Sequence, residues 1–135
     1  MAHVLGFLFD VDGSQVALIH KNRPEWQKGR LNGIGGKIEW GEHPLEAMVR
    51  EFQEETGLYL PIWEHFATLR GGSFEVFCFV AHSRDIHQVQ SCTDEHVEVF
   101  PVADLPHHTL FNLKYLIPLA LDRHLQRPIQ LDYNL

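Results

Sequence analysis

The amino-acid sequence predicts a mixed α/β sandwich, a sheet flanked by helices, and two observations carry that reading. Apolar runs with strand character lie both before and after one strongly amphipathic segment, and turn-forming residues join them rather than a regular strand–helix alternation. A length of 135 residues, 44% hydrophobic and 11% aromatic, is ample for one buried core. A single domain over residues 1–135 is therefore expected.

The first two elements are a pair of strands. His3 to Phe9 and Val16 to Ile19 are apolar and flank Asp10-Val11-Asp12-Gly13, which reads as a hairpin with an Asp-Gly turn. The segment from Asn22 to Gly36 holds Pro24, Gly29, Gly33, Gly35 and Gly36 without a helical period, so it is expected to be mostly loop. Trp26 in that loop is either a hydrophobic anchor or a surface for stacking a base. Pro44 to Thr56 is the clearest helix: Leu45, Met48, Val49 and Phe52 recur at i, i+3, i+4 and i+7, with Pro44 suited to the first position and Gly57 to the position past the end. Trp63 to Leu69 and Phe74 to His82 read as strands joined through Gly71-Gly72, and Glu98 to Val102 as a shorter strand. A last helix is expected within Asn112 to His124 on the stripe Leu113, Leu116, Ile117, Ala120 and Leu121, despite Pro118. The tail from Arg127 to Leu135 is compatible with a strand, a dimer contact or disorder.

Charge narrows the function classes. A formal net charge of -7 argues against binding a nucleic-acid polymer, which needs a basic surface to neutralise phosphates. No apolar run approaches a membrane span and no leader pattern opens the chain, so a cytoplasmic protein without membrane partners is expected. Cys78 and Cys92 form no CxxC pair, and Cys78 reads as a core residue in a reducing compartment. The 10 His residues include no HExxH or paired Cys/His spacing, and His107-His108 reads as surface loop. Five of the 11 Lys and Arg residues, Lys21, Arg23, Lys28, Arg30 and Lys37, fall between positions 21 and 37, with Glu25 the only acid among them. That basic run leads directly into an acidic helix, a junction suited to a small polyanion whose charge is shared between basic side chains and a metal on carboxylates.

On that helix Glu51, Glu54 and Glu55 project within about a right angle of one another, beside the apolar face. Like charges at this spacing repel by a few tenths of a kcal/mol per pair, about 0.2–0.5. A hard cation such as Mg²⁺, which takes carboxylate, water and phosphate oxygens, turns the repulsion into affinity.

The wider stretch supplies the family. Gly36, five residues, Glu42, seven residues, then Arg50-Glu51-Phe52-Gln53-Glu54-Glu55-Thr56-Gly57-Leu58 resembles the signature of the Nudix hydrolases at every position. Seven fixed residues at average frequencies would coincide about once in 10⁸ placements. The resemblance implies an α/β/α sandwich with a mixed central sheet. It implies that Glu51, Glu54 and Glu55, with Gly36, hold Mg²⁺ (Mn²⁺ as a substitute), that Arg50 orients a carboxylate, and that Glu42 and Gly57 support the motif. It further implies attack of water on a phosphorus of a nucleoside diphosphate linked to another group, with a base from a separate loop. Glu95, five residues before Phe100, is the better-spaced candidate for that base, since Glu98 is expected within the strand. Arg50, Glu51, Glu54 and Glu95 are the candidate catalytic residues.

Upstream, Gly29-Arg30-Leu31-Asn32-Gly33-Ile34-Gly35-Gly36-Lys37 resembles the matching segment of MutT-type enzymes and of the mammalian oxidised-purine triphosphatases, where the residue matching Asn32 lies in the base pocket. An amide donates and accepts at once and so can read a purine edge. Leu110-Phe111-Asn112 resembles the start of their last helix, where Asn112 matches a base-facing residue; an N-cap is the alternative role. Arg23, Asn32, Lys37 and Asn112 are thus the substrate-binding candidates. A Walker phosphate loop is excluded because Leu31 and Ile38 stand where Gly and Ser or Thr are required, and no GxSxG supports a Ser nucleophile. The expected activity is Mg²⁺-dependent hydrolysis of a purine or oxidised purine nucleoside triphosphate to monophosphate and pyrophosphate. Hydrolysis of ADP-ribose, a nucleotide sugar or a dinucleoside polyphosphate is the alternative within the family, and a non-catalytic nucleotide sensor the alternative outside catalysis. The expected partner is a small nucleotide, with the chain acting as a monomer or homodimer.

Overall fold

A computed structural model describes residues 1–134. Its centre is β1 (Ala2–Phe9), an unbroken apolar strand because both of its faces are covered. Val4 and Leu8 face one helix layer, while Leu5, Phe7 and Phe9 face the other, the period-two alternation of a strand. Along one edge β1 runs parallel to β6 (Glu75–His82) from Ala2↔Glu75 to Phe9↔His82. Its other edge is divided. Residues His3 to Gly6 pair antiparallel with β4 (Ile34–Lys37), and only Leu8 and Phe9 pair with β2 (Gln15–His20).

The expected hairpin therefore survives only at its tip, and its turn is longer than an Asp-Gly pair. The Asp10 carboxylate accepts from the Gln15 amide and the Ser14 hydroxyl, both at 3.0 Å, and Gly13 takes φ +77°. Beyond the tip β2 leaves β1 and pairs with β3 (Leu31–Asn32) and β7 (Val97–Pro101). The stretch read as mostly loop thus contains two short strands, preceded by a single 3-10 turn over Glu25–Gln27. Its glycines are what allow the pairing: a Cβ on Gly35 would lie 1.9 Å from the Val4 carbonyl oxygen. Glycine spacing reads as a turn signal in sequence, but here it marks close approach of backbone to backbone.

The helix α1 (Pro44–Thr56) keeps its predicted bounds, with Pro44 in the first turn, Glu46 accepting from the His43 amide at 2.9 Å, and Gly57 closing it in the left-handed region at φ +77°. Its buried face is rotated from the predicted stripe. Ala47, Met48, Phe52 and Thr56 are buried, whereas Leu45 is exposed. The strands β5 (Glu64–Arg70) and β6 form the expected hairpin around Gly71-Gly72, with a bulge between His65 and Ala67. The helix α2 (Leu113–Leu121) tolerates Pro118 and buries Leu113, Leu116, Ile117 and Ala120 on the opposite face of the sheet from α1. The tail is a strand, β8 (Ile129–Asp132), parallel to β5 at the sheet edge; Leu135 lies outside the described residues. Trp26 is 69% exposed. No helix among the described residues is long and apolar enough to cross a membrane.

The result is one mixed sheet with strand order β3-β2-β1-β6-β5-β8, β4 added beside β1 and β7 beside β2, and one α-helix layer on each face. Both halves of the core meet on β1 and β2.

Candidate active site

The rotation of α1 decides how its carboxylates are presented. Turning Ala47, Met48 and Phe52 into the core brings Glu51 and Glu55 to the margin of the buried face, while Glu54 points outward with 56% of its side chain exposed. Glu51 lies against β4, and its carboxylate rests where a Cβ on Gly36 would intrude, 2.4 Å from the Glu51 Cδ. Gly36 is therefore a cradle for a carboxylate, and no other residue type fits without moving it.

Arg50 ties the motif together. Its Nε and Nη2 donate to the two oxygens of Glu42 at 2.7 and 2.9 Å, a fork that matches guanidinium to carboxylate. Nη1 donates to Glu51 at 2.9 Å and reaches both oxygens of Glu54 at 3.3 Å, and Nη2 also donates to the Lys37 carbonyl at 3.1 Å. The Arg50 hydrogen bonds hold the Glu42 carboxyl below its usual range. Burial pushes Glu51 up against the opposing pull of Arg50, and burial likewise pushes Glu55 up against a hydrogen bond from Thr93. Two partly desolvated carboxylates on one ridge, each favoured by a positive charge, suit a divalent cation. The Gly36 cradle and the oxygen-only donor set of Glu51, Glu54 and Glu55 fit a hard divalent cation.

The loop before β7 closes over the C-terminal end of α1. Thr93 Oγ1 donates to Glu55 Oε2 at 2.9 Å and accepts from the Glu95 amide at 3.2 Å. Glu95 is buried. Its Oε1 accepts from Lys21 Nζ at 2.9 Å, and its Oε2 accepts from the backbone amides of Asn22 and Arg23 at 2.6 and 3.3 Å. Burial opposes its charge, but the Asn22 amide, Lys21 and the Arg23 amide outweigh it and hold the carboxyl below its usual range. The sequence expectation of a general base falls on a carboxylate with both oxygens engaged, which ties the 21–23 turn to the loop before β7. Arg23 forks onto Asp94.

The substrate candidates fall on two neighbouring segments. Asn32 Oδ1 accepts from the Gly33 amide at 2.8 Å and Nδ2 donates to Gln27 at 3.0 Å. Leu31 accepts from the Leu110 amide at 2.9 Å, so the approach to α2 runs alongside β3. Asn112 stands at the N-terminus of α2 without capping it, and its Oδ1 is buried with no hydrogen-bond partner among the described residues. Lys37 ends β4 with an exposed side chain. The structure thus gathers Gly36, Glu42, Arg50, Glu51, Glu54, Glu55 and, through Thr93, Glu95 around one helix, with Arg23 at its margin and Asn112 on the α2 side. Thr93, Lys21 as the partner of Glu95, and Gln27 as the partner of Asn32 were not singled out by sequence, because nothing in their spacing marks contacts between distant segments.

The comparisons agree with this geometry. The family model described as NUDIX domain matches residues 1–119. Among solved structures, a NUDIX-family hydrolase from Clostridium perfringens superposes with a TM-score of 0.73 at 20% identity, covering 90% of this chain and 95% of that one. A MutT NUDIX hydrolase from Burkholderia pseudomallei gives 0.70 at 22%, covering 88% and 98%. The NUDIX domain of Shewanella oneidensis NrtR, complexed with ADP ribose, gives 0.69 at 22%, covering 91% and 87%. The chain belongs to the Nudix hydrolase family.

Proposed function

We propose that the chain is a Mg²⁺-dependent nucleoside triphosphate pyrophosphohydrolase of MutT type, acting in the cytoplasm as a single domain on purine or oxidised purine nucleotides. The observation that supports it most is the Gly36 cradle, which seats Glu51 beside Arg50 at the head of a carboxylate ridge. Glu51, Glu54 and Glu55 would hold the ion. When bound, a divalent cation neutralises charge on the phosphates and lowers the pKa of water.

The chain's own groups do the rest. Arg50 fixes Glu51 and Glu54 while Glu42 fixes Arg50, so the ridge is organised before substrate arrives. Glu95 secures the 21–23 turn, keeping Arg23 and Lys21 beside the phosphate path. Water attacks a phosphorus, the bond to the bridging oxygen breaks, and nucleoside monophosphate and pyrophosphate leave. Asn112, with a buried acceptor left open, and Asn32 supply polar groups for the base.

A second reading, hydrolysis of ADP-ribose or another diphosphate conjugate, draws support from the structural likeness to NrtR, which was crystallised with ADP ribose. Turnover of 8-oxo-dGTP, dGTP, dATP and ADP-ribose in Mg²⁺ separates the two. Triphosphate purines should be preferred; a preference for ADP-ribose would favour the second reading, and binding without product from any of them would leave a sensor.

A further inference from the structure

Among the described residues, one group of metal-ligating side chains lies outside the carboxylate ridge. His20 ends β2, Glu98 lies in β7, and His96 immediately precedes β7; the His20 amide donates to the His96 carbonyl at 2.8 Å, so two adjacent strands fix all three positions. His20 Nε2 is 3.1 Å from Glu98 Oε1, and His96 Nε2 is 3.7 Å from the same oxygen. One ligand atom from each residue falls within 4.8 Å of the others.

Two of the three separations lie close to the edges of a metal polyhedron. Tetrahedral Zn²⁺ with bonds of about 2.0–2.1 Å places its ligand atoms about 3.3–3.4 Å apart, and the two measured edges bracket that value. A second feature prepares the ligands. His96 Nδ1 lies 3.0 Å from Ser91 Oγ, which also accepts from the Val97 amide at 2.8 Å and is 3.4 Å from the Val97 carbonyl. Hydrogens balance when Nδ1–H donates to Ser91 and the Ser91 hydroxyl donates to that carbonyl. Nε2, 3.7 Å from Glu98 Oε1, is then left with a free lone pair, the arrangement in which an outer hydrogen bond fixes the tautomer of a metal-binding imidazole. The His108 ring stacks on His20 at 5.6 Å between centroids, flanking the group from the segment before α2.

We propose that His20, His96 and Glu98 form a Zn²⁺-class metal site, chemically distinct from the carboxylate ridge. Imidazole with a single carboxylate suits a borderline transition ion, whereas Mg²⁺ prefers oxygen alone. Three protein ligands leave a fourth position open. Because His20 precedes Lys21 and His96 follows Glu95, an ion there pins both strand ends beside the Lys21–Glu95 ion pair.

The test is calorimetric titration of Zn²⁺ into the full chain with Mg²⁺ in excess, together with imidazole ¹⁵N spectra of the wild type. One Zn²⁺ per chain is expected. Ser91→Ala should weaken it about ten- to a hundredfold, and His20→Ala or His96→Ala by at least as much. The His20 and His96 resonances should shift on addition of Zn²⁺ while those of His43 and His124 stay in place. Circular dichroism checks that the variants fold, and the wild-type spectra decide the matter if one does not. Absence of saturable Zn²⁺ binding, binding that survives both histidine substitutions, competition by Mg²⁺, or shifts confined to other histidines would each overturn the site.

Discussion

Gly36 owes its place to one contact. A Cβ there would sit 2.4 Å from the Glu51 carboxyl, so Gly36→Ala should displace the carboxylate while leaving the strand paired. The expected outcome is a Mg²⁺ activation curve shifted to higher concentration by about ten- to a hundredfold, the scale of losing a supporting contact at a metal, with little change in Tm. An unaltered Mg²⁺ titration would mean that Glu51 does not hold the ion. Glu95 tests a different residue-scale distinction. A general base works best with a pKa near the working pH and an oxygen free to take a proton, whereas Glu95 is held ionised with both oxygens engaged. Glu95→Gln should therefore lower kcat/KM by loosening the Lys21–Arg23 turn without removing the acidic limb of the kcat–pH profile. Loss of that limb would return Glu95 to the role of base.

At the scale of the element, α1 combines two requirements on one surface. Phe52 is fully buried and packs edge-on against Trp63 at 5.0 Å between centroids, while Leu45, about two turns earlier, is exposed. Phe52→Ala should cost about 3–5 kcal/mol, and Leu45→Ala no more than about 0.5 kcal/mol, both measured by urea denaturation. Equal effects would place the helix in the orientation that sequence periodicity alone suggests. The contrast also shows how much of this element was legible. Its bounds were, because Pro44 and Gly57 act through local backbone geometry. Its rotation was not: Leu45, Met48, Val49 and Phe52 satisfy the helical period, but β4 and the loop before β7 determine which flank of that stripe is covered. That rotation, in turn, sinks Glu51 and Glu55 to the margin of the core and leaves Glu54 outside.

Across the whole molecule, the same division recurs. The signature from Gly36 to Leu58 identified the family, since its spacing reflects contacts within a loop and the helix that follows it. Strand identities for β1, β2, β5, β6 and β7 followed from apolar runs and turn residues. The sharing of one β1 edge between β2 and β4 did not, because sequence does not reveal which backbone a glycine will admit. Asn112 reads equally as a cap or a base contact in sequence, whereas in the fold its side chain makes no cap bond and its Oδ1 is buried without a partner among the described residues. His20, His96 and Glu98 carry no linear metal motif, since the two imidazoles lie far apart along the chain and meet only where the end of β2 passes the start of β7. Sequence alone determined the family, the bounds of α1 and the spacing of its carboxylates, all properties of residues near one another along the chain. Tertiary structure alone decided how those carboxylates are graded in burial, how Glu95 is engaged and where the histidines meet, because each depends on packing between segments distant in sequence.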